Sequence, residues 1–375
     1  MPRALPDSPP DFPLLIAAGS LVLFGLVALS SASISVGLDL AGDPYYFIRR
    51  QIMYGFLPGI FFGFIAYTIH YGRWNRLSLW IFGLSVLLLV LVAIPGIGTG
   101  YTKDARSWFT LFGASFQPAE AAKLALIIFL ASFLDRNRAG LASFRQGFLP
   151  ALAIGSIPVV LVLLQPDVGT ATILFSIVFC LLFFAGAQWR HLLLLMGAGL
   201  SGFVLMVALA PYRLNRLMTF LHPELDPQGI GYHINQAFLA IGSGGWLGLG
   251  LGRSQQKFQY LPEVHADSIF AVIAEELGFV ISLSLIALIL FILLRLLKLA
   301  QKAPDDFGRL LLAGIAAWIG VQSFFNIGAM LGLLPLTGVP LPFVSHGGSA
   351  LLIGLTAIGI ALNVSRECDV RSKSR

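Results

Sequence analysis

Residues 260–279 read YLPEVHADSIFAVIAEELGF and set acids against an apolar run. Glu263, His265 and Asp267 fall where a loop meets a helix, and Glu275 and Glu276 follow about two turns into that helix. An ionised carboxylate at the centre of a bilayer helix costs roughly 2.5–3.5 kcal/mol on insertion scales. The chain is 57% hydrophobic and only 11% charged, yet it gathers acids here. Such a cluster marks a polar cavity or a reaction site. The alternative for Glu275 and Glu276 is simple pairing with basic residues on neighbouring helices.

Outward from this stretch, apolar runs long enough to span a bilayer recur along all 375 residues, and the mean hydropathy is +0.85. The chain reads as an all-α integral membrane protein with about ten transmembrane helices. They are expected near 13–34, 52–70, 77–97, 118–134, 148–164, 168–186, 191–210, 268–299, 307–331 and 349–363. A large extracytoplasmic loop, 211–267, separates the seventh from the eighth. The whole is one membrane domain: helices 1–7 over 12–210, the loop, helices 8–10 over 268–366, and a cytoplasmic tail over 367–375. With the N-terminus inside, the inner segments carry about 15 Lys and Arg and the outer loops about 8, which places both termini in the cytoplasm. The net charge of +6 is mostly this asymmetry and gives no evidence for nucleic-acid binding. No cleavable signal peptide is apparent. Two cysteines, Cys180 and Cys368, make no disulfide framework and are expected reduced.

Three polar or irregular outer segments stand out. Residues 98–117 include Lys103, Asp104, Arg106 and Trp108. Residues 211–267 contain INQAFLAI at 234–241, a candidate amphipathic helix, followed by closely spaced glycines from 242 to 252 that allow backbone to approach backbone. Residues 333–348, LLPLTGVPLPFVSHGG, have prolines that forbid a regular helix and suit a loop packed into the protein. The eighth helix is long enough to tilt or to extend into the cytoplasm.

Several residue sets could carry chemistry. Gln117, Glu120 and Lys123 are spaced by three and share a side of the fourth helix, so Glu120 and Lys123 form either a buried structural pair or, with Arg106, an anion site. Asp167, between two nearly touching helices, suits capping of the sixth. If residues 263–267 are helical, Glu263 and Asp267 share a face. A Glu, His, Asp triplet could ligate a divalent cation, with magnesium or manganese the better match for oxygen donors. No organic cofactor motif, P-loop or nucleophile elbow is present, so a single acid acting as a base at the membrane surface is the simplest chemistry.

ARSWFTLFGASFQPAEAAKLALI from Ala105, QPDVGTA from Gln165, the run GYHINQAFLAIGSGGWLGLGLGRSQQKFQYLPEVHADSIFAVIAEELGF from Gly231, and MLGLLPLTGVPLPFVSHGGSALL from Met330 resemble the SEDS proteins (shape, elongation, division and sporulation) over essentially the whole chain. Gln256-Lys257-Phe258, leading into Tyr260, is similar to the division branch rather than the elongation branch. The chain departs from the family pattern at Ala266, where Thr is usual, at Ser268, where Phe is usual, at His346 and Ala350, and in the Ala119–Lys123 core.

The resemblance implies a peptidoglycan glycosyltransferase that polymerises lipid II, an undecaprenyl-linked disaccharide pentapeptide, at the outer face of the bacterial cytoplasmic membrane, at the division septum. It implies a class B penicillin-binding protein and other divisome proteins as partners, and support from a divalent cation. Its key acid matches Asp267, the proposed general base of an inverting displacement, and its basic residues match Arg106 and Lys123. Residues and resemblance together nominate Arg106, Lys123, Gln117, Glu120, Glu263, His265, Lys257 and Ser345 for substrate binding, with Glu275, Glu276 and Asp167 supporting them. The alternatives are a lipid II flippase and a non-catalytic divisome scaffold.

Overall fold

Lipid offers no partner to a backbone N–H or C=O, so an apolar run that crosses a bilayer closes its hydrogen bonds within itself as a helix. The computed structural model describes residues 9–99, 106–111, 113–208, 211–226, 229–258 and 260–373; Lys103 and Asp104 lie outside them. Among the described residues, eight helical runs are long and apolar enough to cross a membrane, and Val168–Phe184 is a shorter apolar helix. Pro118–Arg136 completes the set, 19 residues long and carrying Glu120, Lys123, Asp135 and Arg136. Each of the ten expected helices therefore has a counterpart, and the chain is a multi-pass membrane protein.

Pro118–Arg136, Asp306–Met330 and Gly348–Lys373 form the buried centre, with Val168–Phe184 packed against it. The other spans wrap this centre and turn Leu, Ile and Phe side chains outward, as a lipid-facing surface requires. Trp189–Ala208 is the least buried of the eight and lies at the periphery. Leu57–Thr68 and the C-terminal helix approach so closely that a Cβ at Gly359 would lie 2.1 Å from the Gly63 carbonyl oxygen. One end of the bundle is tied by charge. Asp11 caps Phe12–Ala32 and takes a bidentate contact from Arg295, while His70 meets Glu367 at 3.0 Å and Tyr71 donates to Asp305.

At the opposite end the structure differs from the sequence expectation in three places. Residues 98–117 hold a small antiparallel hairpin, Phe109–Leu111 with Ala114–Phe116, turned at Gly113 with φ 79°. The 211–267 segment has two helices, Pro211–Leu221 and Ile230–Ser243, where one at 234–241 was expected. The second buries Ile234, Ala237 and Ala240 at helical spacing. The third difference is the long helix Ile269–Lys302, which is not one continuous rod but breaks at Gly278, where φ is 75° and ψ is −176°. The run after the break is still long enough, at about 1.5 Å per residue, to cross a hydrocarbon core about 30 Å thick.

The break is repaired by the glycine-rich loop. In an unbroken helix Phe279 and Val280 would donate to the Glu275 and Glu276 carbonyls. Instead Phe279 N donates to Gly245 O (2.9 Å) and Val280 N to Trp246 O (3.2 Å), while the freed carbonyls of Glu275 and Glu276 accept from Leu249 N (3.0 Å) and Gly250 N (2.9 Å). All four orphaned groups are thus satisfied in a place where leaving them bare would be costly. Only glycine permits the approach: a Cβ at Gly248, whose φ is 79°, would lie 2.2 Å from the Glu276 carbonyl oxygen. We predict that Gly248→Ala lowers stability by at least ~2 kcal/mol. Gly242→Ala, with nothing within 4 Å of the new methyl, should be neutral or stabilising. Thermal unfolding in detergent measures both, and equal melting temperatures would contradict the account.

Candidate functional site

The side chains of Glu275 and Glu276 finish what the backbone begins. Glu275 accepts from Ser254 Oγ (2.5 Å) and from the backbone of Gln255 (2.9 Å). Glu276 pairs with Lys257 Nζ at 2.7 Å and accepts from Ser31 Oγ on the first helix. Ser35 Oγ in turn donates to the Lys257 carbonyl. Lys257 and both glutamates are buried. The Lys257 ammonium, nominated for substrate binding, is committed to Glu276 and Ser31 (3.1 Å) inside the protein. These groups pin the 244–258 loop onto the bundle and fix the short helical stretch that follows Asp267.

A second scaffold comes from Asp306–Met330. Gln322 and Asn326 lie four residues apart and so share a face of this apolar helix. Asn326 Nδ2 donates to the carbonyls of Asp267 and Val339, both at 2.8 Å. Gln322 Nε2 donates to Pro340 O, and its Oε1 accepts from Lys123 Nζ and Trp318 Nε1, all at 2.8 Å. Lys123 also pairs with Glu120 at 2.8 Å and stands 5.3 Å from the centroid of the Trp318 ring. The two amides therefore join the Glu120–Lys123 pair, the proline loop and the Asp267 backbone in one network. Lys123 is fully buried, so it does not open onto solvent as an anion site of the kind expected. Glu120 Oε2 is buried without a hydrogen-bond partner among the described residues, beside a small cavity lined by Trp318, Gln322 and Phe343.

Asp267 sits in a largely buried recess with part of its surface still exposed. Burial, then the neighbouring Glu263 carboxylate, pushes its carboxyl up to about 6; backbone and Ser268 hydrogen bonds and the Arg216 charge act the other way. The segment before it is a series of turns rather than a helix, and Glu263 has φ 48°. Glu263 and Asp267 thus do not share a helical face. Glu263 is exposed and lies 3.9 Å from His265 Nε2. His265 and His346 flank Phe47, with ring centroids 4.2 and 5.1 Å from it, and His346 N donates to the His265 carbonyl. Burial pushes His265 down to about 4 and His346 to about 3, the latter helped by His265 and Arg50, so both stay neutral at pH 7. Among the described residues no three His, Cys, Asp or Glu side chains converge to hold a metal. Glu263, His265 and Asp267 therefore do not fit a protein-held cation.

The remaining candidates surround this recess. Arg106 leads into the hairpin, half-buried, with no hydrogen-bond or ion-pair partner among the described residues. Gln117 N donates to Ser349 Oγ (3.0 Å), and its side chain reaches Asp167 at 3.5 Å. Asp167 caps Val168–Phe184 by accepting from Thr170 N. Ser345 Oγ accepts from Leu341 N, which folds the proline loop on itself, and Gln51 clamps that loop through Ser345 O and Gly347 N. Sequence reasoning missed Gln322, Asn326, His233 and Arg216. For the amides a signal existed: two of them, four apart, in the apolar run VQSFFNIGAM. Arg216, exposed on Pro211–Leu221, brings a positive charge to bear on both Asp267 and His233.

The chain is similar to known proteins over nearly its whole length. The family model FTSW_RODA_SPOVE, described as cell cycle protein, matches residues 12–369. The chain is 41% identical to stage V sporulation protein E of Bacillus subtilis (strain 168) over 358 residues, 95% of this chain and 97% of the other. It is 40% identical to the probable peptidoglycan glycosyltransferase FtsW of Trichlorobacter lovleyi, covering 95% of this chain and 93% of that one. Among solved structures it superposes on a chain from a study of how a peptidoglycan synthase complex coordinates polymerization and crosslinking. That match has TM-score 0.79 and 34% identity, over 96% of this chain and 98% of that chain.

Removing one member of a buried pair strands the other charge and typically costs 3–5 kcal/mol, whereas replacing both by apolar groups is often neutral. Lys123→Met alone should therefore destabilise the protein more than Glu120→Leu with Lys123→Met. Thermal unfolding of the two variants tests this, and a double variant no more stable than the single one would contradict it.

Proposed function

The chain belongs to the cell cycle protein family of FtsW, RodA and SpoVE, and from that premise we propose that it polymerises lipid II into glycan strands with Asp267 as general base. Its enzyme class, peptidoglycan glycosyltransferase, is that of its FtsW-named relatives. The observation that carries the assignment of the base is the setting of Asp267: a carboxyl at the mouth of the bundle, raised to about 6, anchored through its own carbonyl by Asn326. A base works best when its pKa lies near the operating pH.

In the reaction, the Asp267 carboxylate accepts the proton of the acceptor sugar's 4-hydroxyl. That oxygen forms a bond to the anomeric carbon of the donor as the bond to lipid pyrophosphate breaks, and the electron pair leaves with the pyrophosphate. An α-linked donor giving a β-linked product is one inverting displacement, which needs no enzyme nucleophile. Arg106 and Arg216 are two cations at this end of the bundle that can offset the charge of the departing pyrophosphate. Lys123 acts from behind, holding Gln322 and through it the proline loop. A divalent cation, magnesium or manganese, would come with the substrate pyrophosphate rather than from a protein cage.

The site end faces outward and both termini lie in the cytoplasm, in keeping with the distribution of basic residues. The partner is a class B penicillin-binding protein together with other divisome proteins at the septum; the likeness to a chain from a synthase complex supports this. The flippase alternative drew on Glu275 and Glu276 as polar steps across the membrane. Their carboxylates are occupied by Ser254, Ser31 and Lys257, which leaves that path without its residues.

Gel-resolved polymerisation of purified lipid II tests the proposal, using wild type and Asp267→Ala, each with its cognate penicillin-binding protein lacking glycosyltransferase activity. Wild type is expected to make polymer and the variant at least ~100-fold less. Polymer at the wild-type rate from the variant would move the base elsewhere. No polymer from folded wild type would favour transport or scaffolding, which fluorescent lipid II in liposomes separates.

A further inference from the structure

Ser268 follows Asp267 directly and is fully buried. Its Oγ lies 2.6 Å from His233 Nε2, 2.8 Å from the Pro262 carbonyl oxygen and 3.4 Å from Asp267 Oδ1. A serine hydroxyl has one proton to give and two lone pairs to receive. The Pro262 carbonyl can only accept, and so can an ionised Asp267, so the single proton serves one of them at a time. If His233 accepted that proton, both oxygens would face Ser268 without a donor. His233 is therefore the donor, through Nε2–H. Burial and the charge of Arg216 push its imidazole down to about 4, so at pH 7 it is neutral and holds one ring proton.

We propose that Ser268 and His233 are a positioning pair for Asp267: the hydroxyl turns between the Pro262 carbonyl and the Asp267 carboxylate as that carboxylate loses and gains its proton, and His233 holds the oxygen in place. The inference rests on Asp267 being the base. While Asp267 is ionised, the Ser268 proton points to it. Once Asp267 Oδ2 has taken the acceptor proton, Oδ1 is an uncharged and weaker acceptor, and the Ser268 hydroxyl turns back to the Pro262 carbonyl. The 3.4 Å contact is long, and catalytic hydrogen bonds commonly tighten when a site fills. The Ser268 contact is made to Asp267 Oδ1, which leaves Oδ2 to face the substrate. The other groups around this centre are Glu263 and His265 from the same loop, Arg216 from Pro211–Leu221, the Asn326 amide from Asp306–Met330, and His346 with Arg50 behind it.

The test is the pH–rate profile of lipid II polymerisation by the full chain with its penicillin-binding protein. Ser268→Ala should lower kcat by roughly 5–10-fold with KM within about twofold, and should move the acid limb up by about half a pH unit, because the carboxylate loses a donor. Ser268→Thr, which keeps the hydroxyl, should restore most of kcat and the wild-type limb. A merely structural role would leave the limb where it is. Wild-type kcat and limb in Ser268→Ala, or no rescue by Thr, would overturn the proposal. Where Ser268→Ala fails to fold, His233→Gln, which keeps a donor, is compared with His233→Leu. The limb moving only in Leu supports the pair, and an unmoved limb in both overturns it. Asp267→Asn is the control for the underlying reading: turnover in that variant sinks the base itself, whereas an inactive Asp267→Asn with unaffected Ser268 and His233 variants sinks only the pair.

Discussion

The broken helix at Gly278 is the constraint on which the rest of this structure depends. A single residue with φ 75° interrupts Ile269–Lys302 and takes buried backbone groups out of the helical ladder. Residues 244–250 cover them, and the Glu275 and Glu276 side chains then secure the following turn through Ser254, Lys257 and Ser31. Each carboxylate would be costly alone at this depth. Together, with one lysine and several donors, they convert a break into a fixed corner. The Ile269–Leu277 stretch leaves that corner at a set angle, and Asp267 stands just before its start.

Positioning alone does not make a base, and the second half of the account is dielectric. Asn326 holds the Asp267 carbonyl, Gln322 and Lys123 hold the proline loop, and Phe47 packs against His265, so the Asp267 carboxyl lies largely buried. The consequences run in opposite directions for acids and imidazoles, as desolvation requires. Asp267 is raised while His233, His265 and His346 are lowered. At neutral pH the Asp267 carboxylate thus stands among neutral rings, with the Arg216 charge bearing on it. This polarity suits taking a proton from a sugar hydroxyl while negative charge builds on a departing pyrophosphate.

How much of this the sequence disclosed depends on the kind of signal. The ten helices were legible because bilayer thickness sets a run length that hydropathy detects. Asp267 was legible because an acid at a loop–helix junction in so apolar a chain is conspicuous. The break was not, since glycine is tolerated inside a helical pattern and its repair is a long-range backbone pairing that no periodicity records. Lys257 read as a surface cation because its partner, Glu276, lies across the loop in space. Gln322 and Asn326 escaped notice because uncharged amides barely lower the hydropathy of a span. Pro211–Leu221 was hidden by its interleaved polar residues, Asn215 and Arg216 among them. The family's pattern could not have suggested the Ser268–His233 contact, because Ser268 is itself a departure from it.

The central claim is that a buried carboxylate, raised by its surroundings, is the base for glycan polymerisation. The most direct measurement is the pH dependence of kcat/KM for lipid II polymerisation by wild type with its penicillin-binding protein, since the acid limb reports the free enzyme's essential base. A raised carboxyl is ionised above its folded value and loses that form as pH falls through it. The account predicts an acid limb centred near 6, where Asp267 titrates. An acid limb near the ordinary carboxylate range of about 4, or activity that persists unchanged below pH 5, would contradict it.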